Sequence, residues 1–150
     1  MEASGPTFEA SLANTTAMWI DHVLNPKTIT SIYPAQAPSL GQVRLHELAI
    51  LCGGDLQCRL RFDVADFPLP APAKWVQQQY NTVQLTLAFL QATIEHCALP
   101  SGSNIGELRI SYEADRFQVE FQLPEQGCVF RAAARWVHVD KLAGYLNQPD

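Results

Sequence analysis

The sequence predicts a mainly β fold, a single antiparallel β-sandwich or strongly curled sheet with a short N-terminal helix. Three observations carry this. Apolar and polar residues alternate with period two in at least five runs, as half-buried strands require. Short turns join most of these runs. No regular succession of strands and long helices appears, which removes a doubly wound α/β fold. A chain of 150 residues can bury one real core, whereas two domains would each be marginal. Residues 1–150 are therefore one β-rich domain, with residues 1–24 as a helical extension.

The elements follow in order. Phe8 to Leu24 is a short helix whose apolar face includes Leu12, Met18, Trp19 and Val23. Trp19 lacks further patterned context and is a candidate for exposure. Asn25-Pro26 stops or turns the chain. Pro34 and Pro38 then favour an extended path, anchored by Ile29, Ile32 and Tyr33. In "QVRLHELAIL" the alternation slips by one, and a β-bulge near His46-Glu47 explains the slip. "CGGD" is a turn, because Gly53 and Gly54 take positive φ at no steric cost. Leu56, Cys58, Leu60, Phe62 and Val64 then alternate with polar residues and complete a hairpin. Pro68, Pro70 and Pro72 lack the amide hydrogens of a central strand, so they take the chain out of the sheet. Ala73 to Gln79 makes one helical turn, with Trp75 as a cap on one end of the core.

Tyr80-Asn81 opens the next strand, in which Val83, Leu85, Leu87 and Phe89 share a face. A second arm is expected from Ala92 to Leu99. "PSGSN" is a loop, and "IGELRISYEADRFQVEFQL" is a hairpin turning at "EAD". "CVFRAAARWVHV" suits a strand or a helix, and its β neighbours decide for a strand. Cys58 and Cys128 are small core residues. "DKLAGYL" is a turn or a helical end. The total is seven or eight strands.

Composition narrows the function. The formal net charge is −5. That disfavours nucleic acid as a partner, since phosphate binding calls for a basic patch. No apolar run is long enough to cross a bilayer, so a membrane is not an expected partner. No CxxC motif occurs among the four cysteines, and no basic stretch followed by an apolar one marks a secretory signal. A reducing cytoplasm is the simplest compartment. Pairing with a second copy of the chain stays open.

No catalytic, cofactor-binding or metal-ligating motif is visible: GxSxG, HExxH, a Walker loop and a dinucleotide fingerprint are all absent. His46-Glu47 is the best place for a polar site, because a bulge re-aims side chains, although a solvent-facing pair is the commoner outcome. Asp63 and Asp66 resemble paired carboxylates, yet nothing local builds a pocket around them. Arg59, Arg61, Arg109, Arg116, Arg131 and Arg135 either gather on one sheet face to bind an anion or acidic partner, or balance Asp63, Glu107, Glu113 and Glu120 across strands. The second reading is preferred. Trp75, Tyr80 and Trp136 are either interface anchors or lids on the core.

Two stretches carry a family likeness. "NPKTITSIYPAQAPSLGQVRLHEL", from Asn25 to Leu48, resembles the entry region of a small family of bacterial immunity proteins that accompany toxins of polymorphic and contact-dependent competition systems. "RLRFDVADFPLPAPAKWVQQQYNTVQLTLAFL" resembles its middle, with matching positions at Pro38, Leu40, Pro68, Pro72, Trp75, Tyr80, Asn81, Val83 and Leu85. The closing "AGYL" at Ala143–Leu146 is also similar. The resemblance implies a non-enzymatic cytoplasmic protein that binds and neutralises a cognate toxin. Pro68, Pro72, Trp75, Tyr80 and Asn81 then have structural roles. On an acidic chain the partner is expected to have a basic surface, met by Glu47, Asp63, Asp66, Glu113 and Asp115 on hairpin ends and polar strand faces. The alternative is a small hydrolase or small-molecule-binding protein whose site forms only in three dimensions.

Overall fold

The computed structural model describes residues 19–148. Among these residues six strands form, β1 (Val43–Leu51), β2 (Gln57–Val64), β3 (Thr82–Cys97), β4 (Ile105–Glu113), β5 (Arg116–Leu123) and β6 (Gly127–Tyr145), with two short helices, α1 (Lys27–Thr30) and α2 (Ala73–Gln77). Every strand pairs antiparallel with its neighbours, and the order β1-β2-β3-β6-β5-β4 closes on itself as a barrel. The fold is mainly β, and the curled sheet is curled to closure.

The frame is a long ribbon of β3 and β6, 16 and 19 residues. The β1–β2 hairpin pairs with the first half of β3, and the β4–β5 hairpin with the first half of β6. The hairpins meet where Val43 and Arg44 pair with Gly106 and Ile105. That junction is tight: a Cβ on Gly106 would strike the carbonyl of Gln122. Phe62, Phe89, Phe117, Phe121 and Phe130, from four strands, fill the interior. Burying each stabilises the fold by about 1.5–3 kcal/mol.

The expected bulge is present, as the β1–β2 register shifts between Leu45 and Glu47. Gly53 and Gly54 have φ of 104° and 109° in the first hairpin turn. Ala114 and Asp115, with φ of 55° and 63°, close the second in the left-handed pair that matches strand twist.

Among the described residues the strands number six, not seven or eight. Ala92 to Cys97 is not a separate arm but continues β3. At Gln91 (φ 50°) the inward phase slips by one, from Phe89 to Ala92. The facing strand slips at the same level: Ala134 points in, Trp136 out and Val137 in. Because both strands change phase together, pairing runs on without a break. "DKLAGYL" likewise continues β6 as far as Tyr145, neither turn nor helix, because its backbone pairs with Thr82–Thr86. Cys128 is only half-buried, since its Sγ faces Phe130 O and Arg131.

Of the expected helix over Phe8–Leu24, residues 8–18 lie outside the described residues, and 19–22 form turns. Trp19 is buried (3% exposed), and its indole donates to Pro38 O at 3.0 Å. Its partner lies 19 residues on, so local pattern gave no sign of burial. Leu24 pairs with β6 beyond the end of β5: Leu24 N donates to Val137 O (2.7 Å) and Val139 N to Leu24 O (3.1 Å). Ile29, Tyr33 and Leu40 then join the core from the same segment.

Candidate binding surface

Cys58, Leu60, Phe62 and Val64 point inward from β2, so Arg59, Arg61 and Asp63 point outward. Asp63 is nevertheless 6% exposed. Three neighbours close over it. The bulge re-aims His46 from β1, whose Nε2 lies 2.8 Å from Asp63 Oδ2. Gln84, paired with Asp63 on β3, donates Nε2–H to Oδ1 at 3.1 Å. Tyr145, near the end of β6, donates its hydroxyl to Oδ2 at 2.5 Å. An ionised carboxylate only accepts, so His46 Nε2 carries hydrogen here.

Burial pushes the Asp63 carboxyl up, but bonds from His46, Tyr145 and Gln84 outweigh that and hold it below the usual carboxylate value. Burial, then the bond to Asp63, pushes the Tyr145 phenol up to about 12. Both Asp63 oxygens are occupied, so the cluster fastens the β1 bulge and the end of β6 to the middle of the sheet.

Charge pairs extend across the same outer face. Arg61 Nε contacts Glu47 Oε1 at 3.2 Å, and its Nη1 donates to Gln84 at 3.3 Å. Arg59 Nε lies 3.5 Å from Asp140 Oδ2, and His138 Nδ1 lies 2.7 Å from Asp140 Oδ1. Elsewhere Arg109 pairs with Glu107 along β4, and Arg131 of β6 pairs with Glu120 of β5. An open depression of about 280 Å³ lies beside Asp63, lined by Arg44, Asn81, Thr82 and Asn147 among others.

The acidic residues expected to meet a partner are dispersed. Glu47 and Asp63 share this face, but Asp63 is turned into its cluster. Asp66 stands at the proline corner, where Oδ2 accepts from Ser39 N at 2.8 Å and its carbonyl accepts from the Tyr33 hydroxyl at 2.6 Å. Burial, then the nearby Asp66 charge, raises the Tyr33 phenol. Glu113 and Asp115 are exposed at the tip of the β4–β5 hairpin.

The corner residues sit together around α2. Pro68 is buried, and Pro72 precedes the helix. Trp75 is half-buried and lies on Gly144, where an added Cβ would come within 2.8 Å of the indole. Phe67 and Tyr80 flank it with ring centres at 6.0 and 6.4 Å. Asn81 brackets the end of β6: its Nδ2 donates to Asn147 O (3.0 Å), and Oδ1 accepts from Asn147 N (2.8 Å).

Sequence reasoning found the bulge at His46 but missed Gln84 and Tyr145. Gln84 was findable as the cross-strand neighbour of Asp63 once the strands were paired. Tyr145 is 82 residues from Asp63, and no local signal links them. Among the described residues, no three His, Cys, Asp or Glu side chains converge as a metal site.

A protein-family model described as Immunity protein 50 matches residues 25–145. No curated protein and no solved structure matches the chain.

Proposed function

The chain belongs to the Immunity protein 50 family, and from that premise we propose that it binds a cognate toxin stoichiometrically and neutralises it without turnover. The observation that carries this is the family match, which spans the whole barrel from before α1 to the end of β6. The closed barrel supports it. A sheet pinned by Asp63 presents fixed side chains, and a preorganised surface loses little entropy on binding. Asp63, one of the two carboxylates that the sequence offers as a pair, is taken up by structure, with His46, Gln84 and Tyr145 bonded to its two oxygens. Inhibition works either by covering the toxin's active site or by holding an inactive conformation. The cytoplasm is the compartment of action in this reading; four free cysteines suit a reducing environment.

Growth rescue tests the proposal. A candidate toxin, chosen from the genes that neighbour this one, is expressed with and without the chain in a sensitive host. Rescue that tracks the level of this protein, and is lost when the barrel is unfolded, is the expected result. An active toxin that kills equally in the presence of folded protein would overturn it.

A further inference from the structure

The outer face of β1-β2-β3-β6 can be read row by row from the register. One row is Arg44, Asp63, Gln84 and Ala143; the next is Glu47, Arg61, Thr86 and Lys141. Then come Ala49, Arg59, Ala88 and His138, and finally Leu51, Gln57, Leu90 and Trp136. Arg135 lies over the Trp136 ring at 5.0 Å, and Asp140 joins Arg59 and His138. The face therefore carries five cations (Arg44, Arg59, Arg61, Arg135 and Lys141) against three carboxylates (Glu47, Asp63 and Asp140). It is net positive on a chain whose formal charge is −5. Among the described residues, Arg44, Arg135 and Lys141 have no carboxylate at ion-pair distance. The last row is apolar at both ends, with Leu51 40% and Trp136 39% exposed.

From this juxtaposition we infer that the β1-β2-β3-β6 face is the toxin-docking surface, and that it fits an acidic protein surface with an apolar socket for Trp136. This rests on the toxin-binding reading above and names its partner chemistry. An exposed Trp beside Arg is the composition of binding hot spots, whose energy concentrates in a few anchors. Arg44, Arg135 and Lys141 are available to meet carboxylates and to speed encounter. Arg61 is held by its hydrogen bond to Glu47, and Arg59 lies at ion-pair distance from Asp140 without a hydrogen bond from its Nε; both form part of the rim. Protein is favoured over nucleic acid on two counts. Two of the five cations are already neutralised within the face, and a Trp136 face is taken by Arg135, where a base would stack. The sign is opposite to that expected from overall charge, and the acidic hairpin tip at Glu113 and Asp115 lies on the other hairpin.

The test uses the full chain and a purified candidate toxin, chosen from the genes that neighbour its own, with Kd measured in low and high salt. Trp136→Ala, and separately Arg135→Glu with Lys141→Glu, are compared with Glu113→Lys with Asp115→Lys; circular dichroism and unfolding midpoints establish that each variant is folded. Both changes on the face are expected to weaken binding by roughly tenfold or more, and the charge reversal to reverse the salt dependence. The hairpin-tip variant is expected to stay within about twofold of the parent. Unchanged Kd in folded face variants, or selective loss in the hairpin-tip variant, would overturn the assignment of this face while leaving toxin binding intact. No complex with the parent protein would overturn both. Tight, salt-dependent shift of a random-sequence DNA duplex or RNA, abolished by Arg135→Glu with Lys141→Glu, would reassign the face to nucleic acid and overturn the inference.

Discussion

Asp63 shows how one side chain can couple four strands. It accepts from Gln84 on one oxygen and from His46 and Tyr145 on the other. Asp63→Asn puts an amide where one or both of those donors need an acceptor, and leaving a buried group unsatisfied is expected to cost about 1–3 kcal/mol in urea unfolding. The pH dependence has a definite sign. Asp63 ionises more readily in the folded chain than in the unfolded one. Its contribution is therefore complete above the unfolded value, near pH 4, and is lost as pH falls through the lower folded value. Tyr145 behaves oppositely: its contribution holds below about pH 10 and fades as pH rises towards the folded value of about 12. Urea titrations across pH should show both limbs, with Asp63→Asn flattening the acid one and Tyr145→Phe the alkaline one. Acid limbs that coincide in parent and Asp63→Asn proteins would contradict the role given to the cluster. Half of this cluster was legible. The slip in alternation at His46 revealed the bulge, whereas the Asp63–Tyr145 bond follows only from the pairing of β2 with β3 and of β3 with β6.

At the scale of elements, two glycines mark where backbones or rings approach too closely for a side chain. Gly106 lies against the Gln122 carbonyl beside the two-residue junction that closes the barrel. Gly106→Ala should force β4 from β5 and cost about 2–4 kcal/mol, in the range of overpacking and lost strand pairing. An unfolding midpoint equal to the parent's would mean that the junction yields freely. Gly144 is the floor under Trp75. Gly144→Ala and Trp75→Ala should both loosen the proline corner, the latter by about 2–4 kcal/mol, towards the lower end of core aromatic truncations because the ring is half-buried. The double variant should cost less than the sum of the singles, since the added Cβ collides only while the Trp75 ring is present. Strict additivity would separate the two residues. Hairpins were the legible elements, since alternation and turn residues are local. The continuity of β3 and β6 was not, because Gln91 and Arg135 shift phase together and each alone resembles a strand end. "FRAAAR" had helical spacing as well, and only its pairing with β3 and β5 makes it a strand.

For the molecule as a whole, mainly β architecture followed from period-two patterning, and the family from the entry region and the proline corner. Closure was not readable from pattern, because sandwich and barrel bury the same alternating residues. The distribution of charge was also hidden: five cations gather on one face only once the register is known. The central claim is that this chain acts by binding a toxin as a stoichiometric partner. Isothermal titration calorimetry of the folded chain into a purified candidate toxin, chosen from the genes that neighbour its own, with toxin activity followed in the same samples, tests it most directly. The account predicts a saturable heat with a fixed stoichiometry, and activity that falls in proportion to complex formed and returns when the complex dissociates. Absence of a saturable complex with an active toxin, or inactivation of many toxin molecules by one copy of this chain, would contradict it.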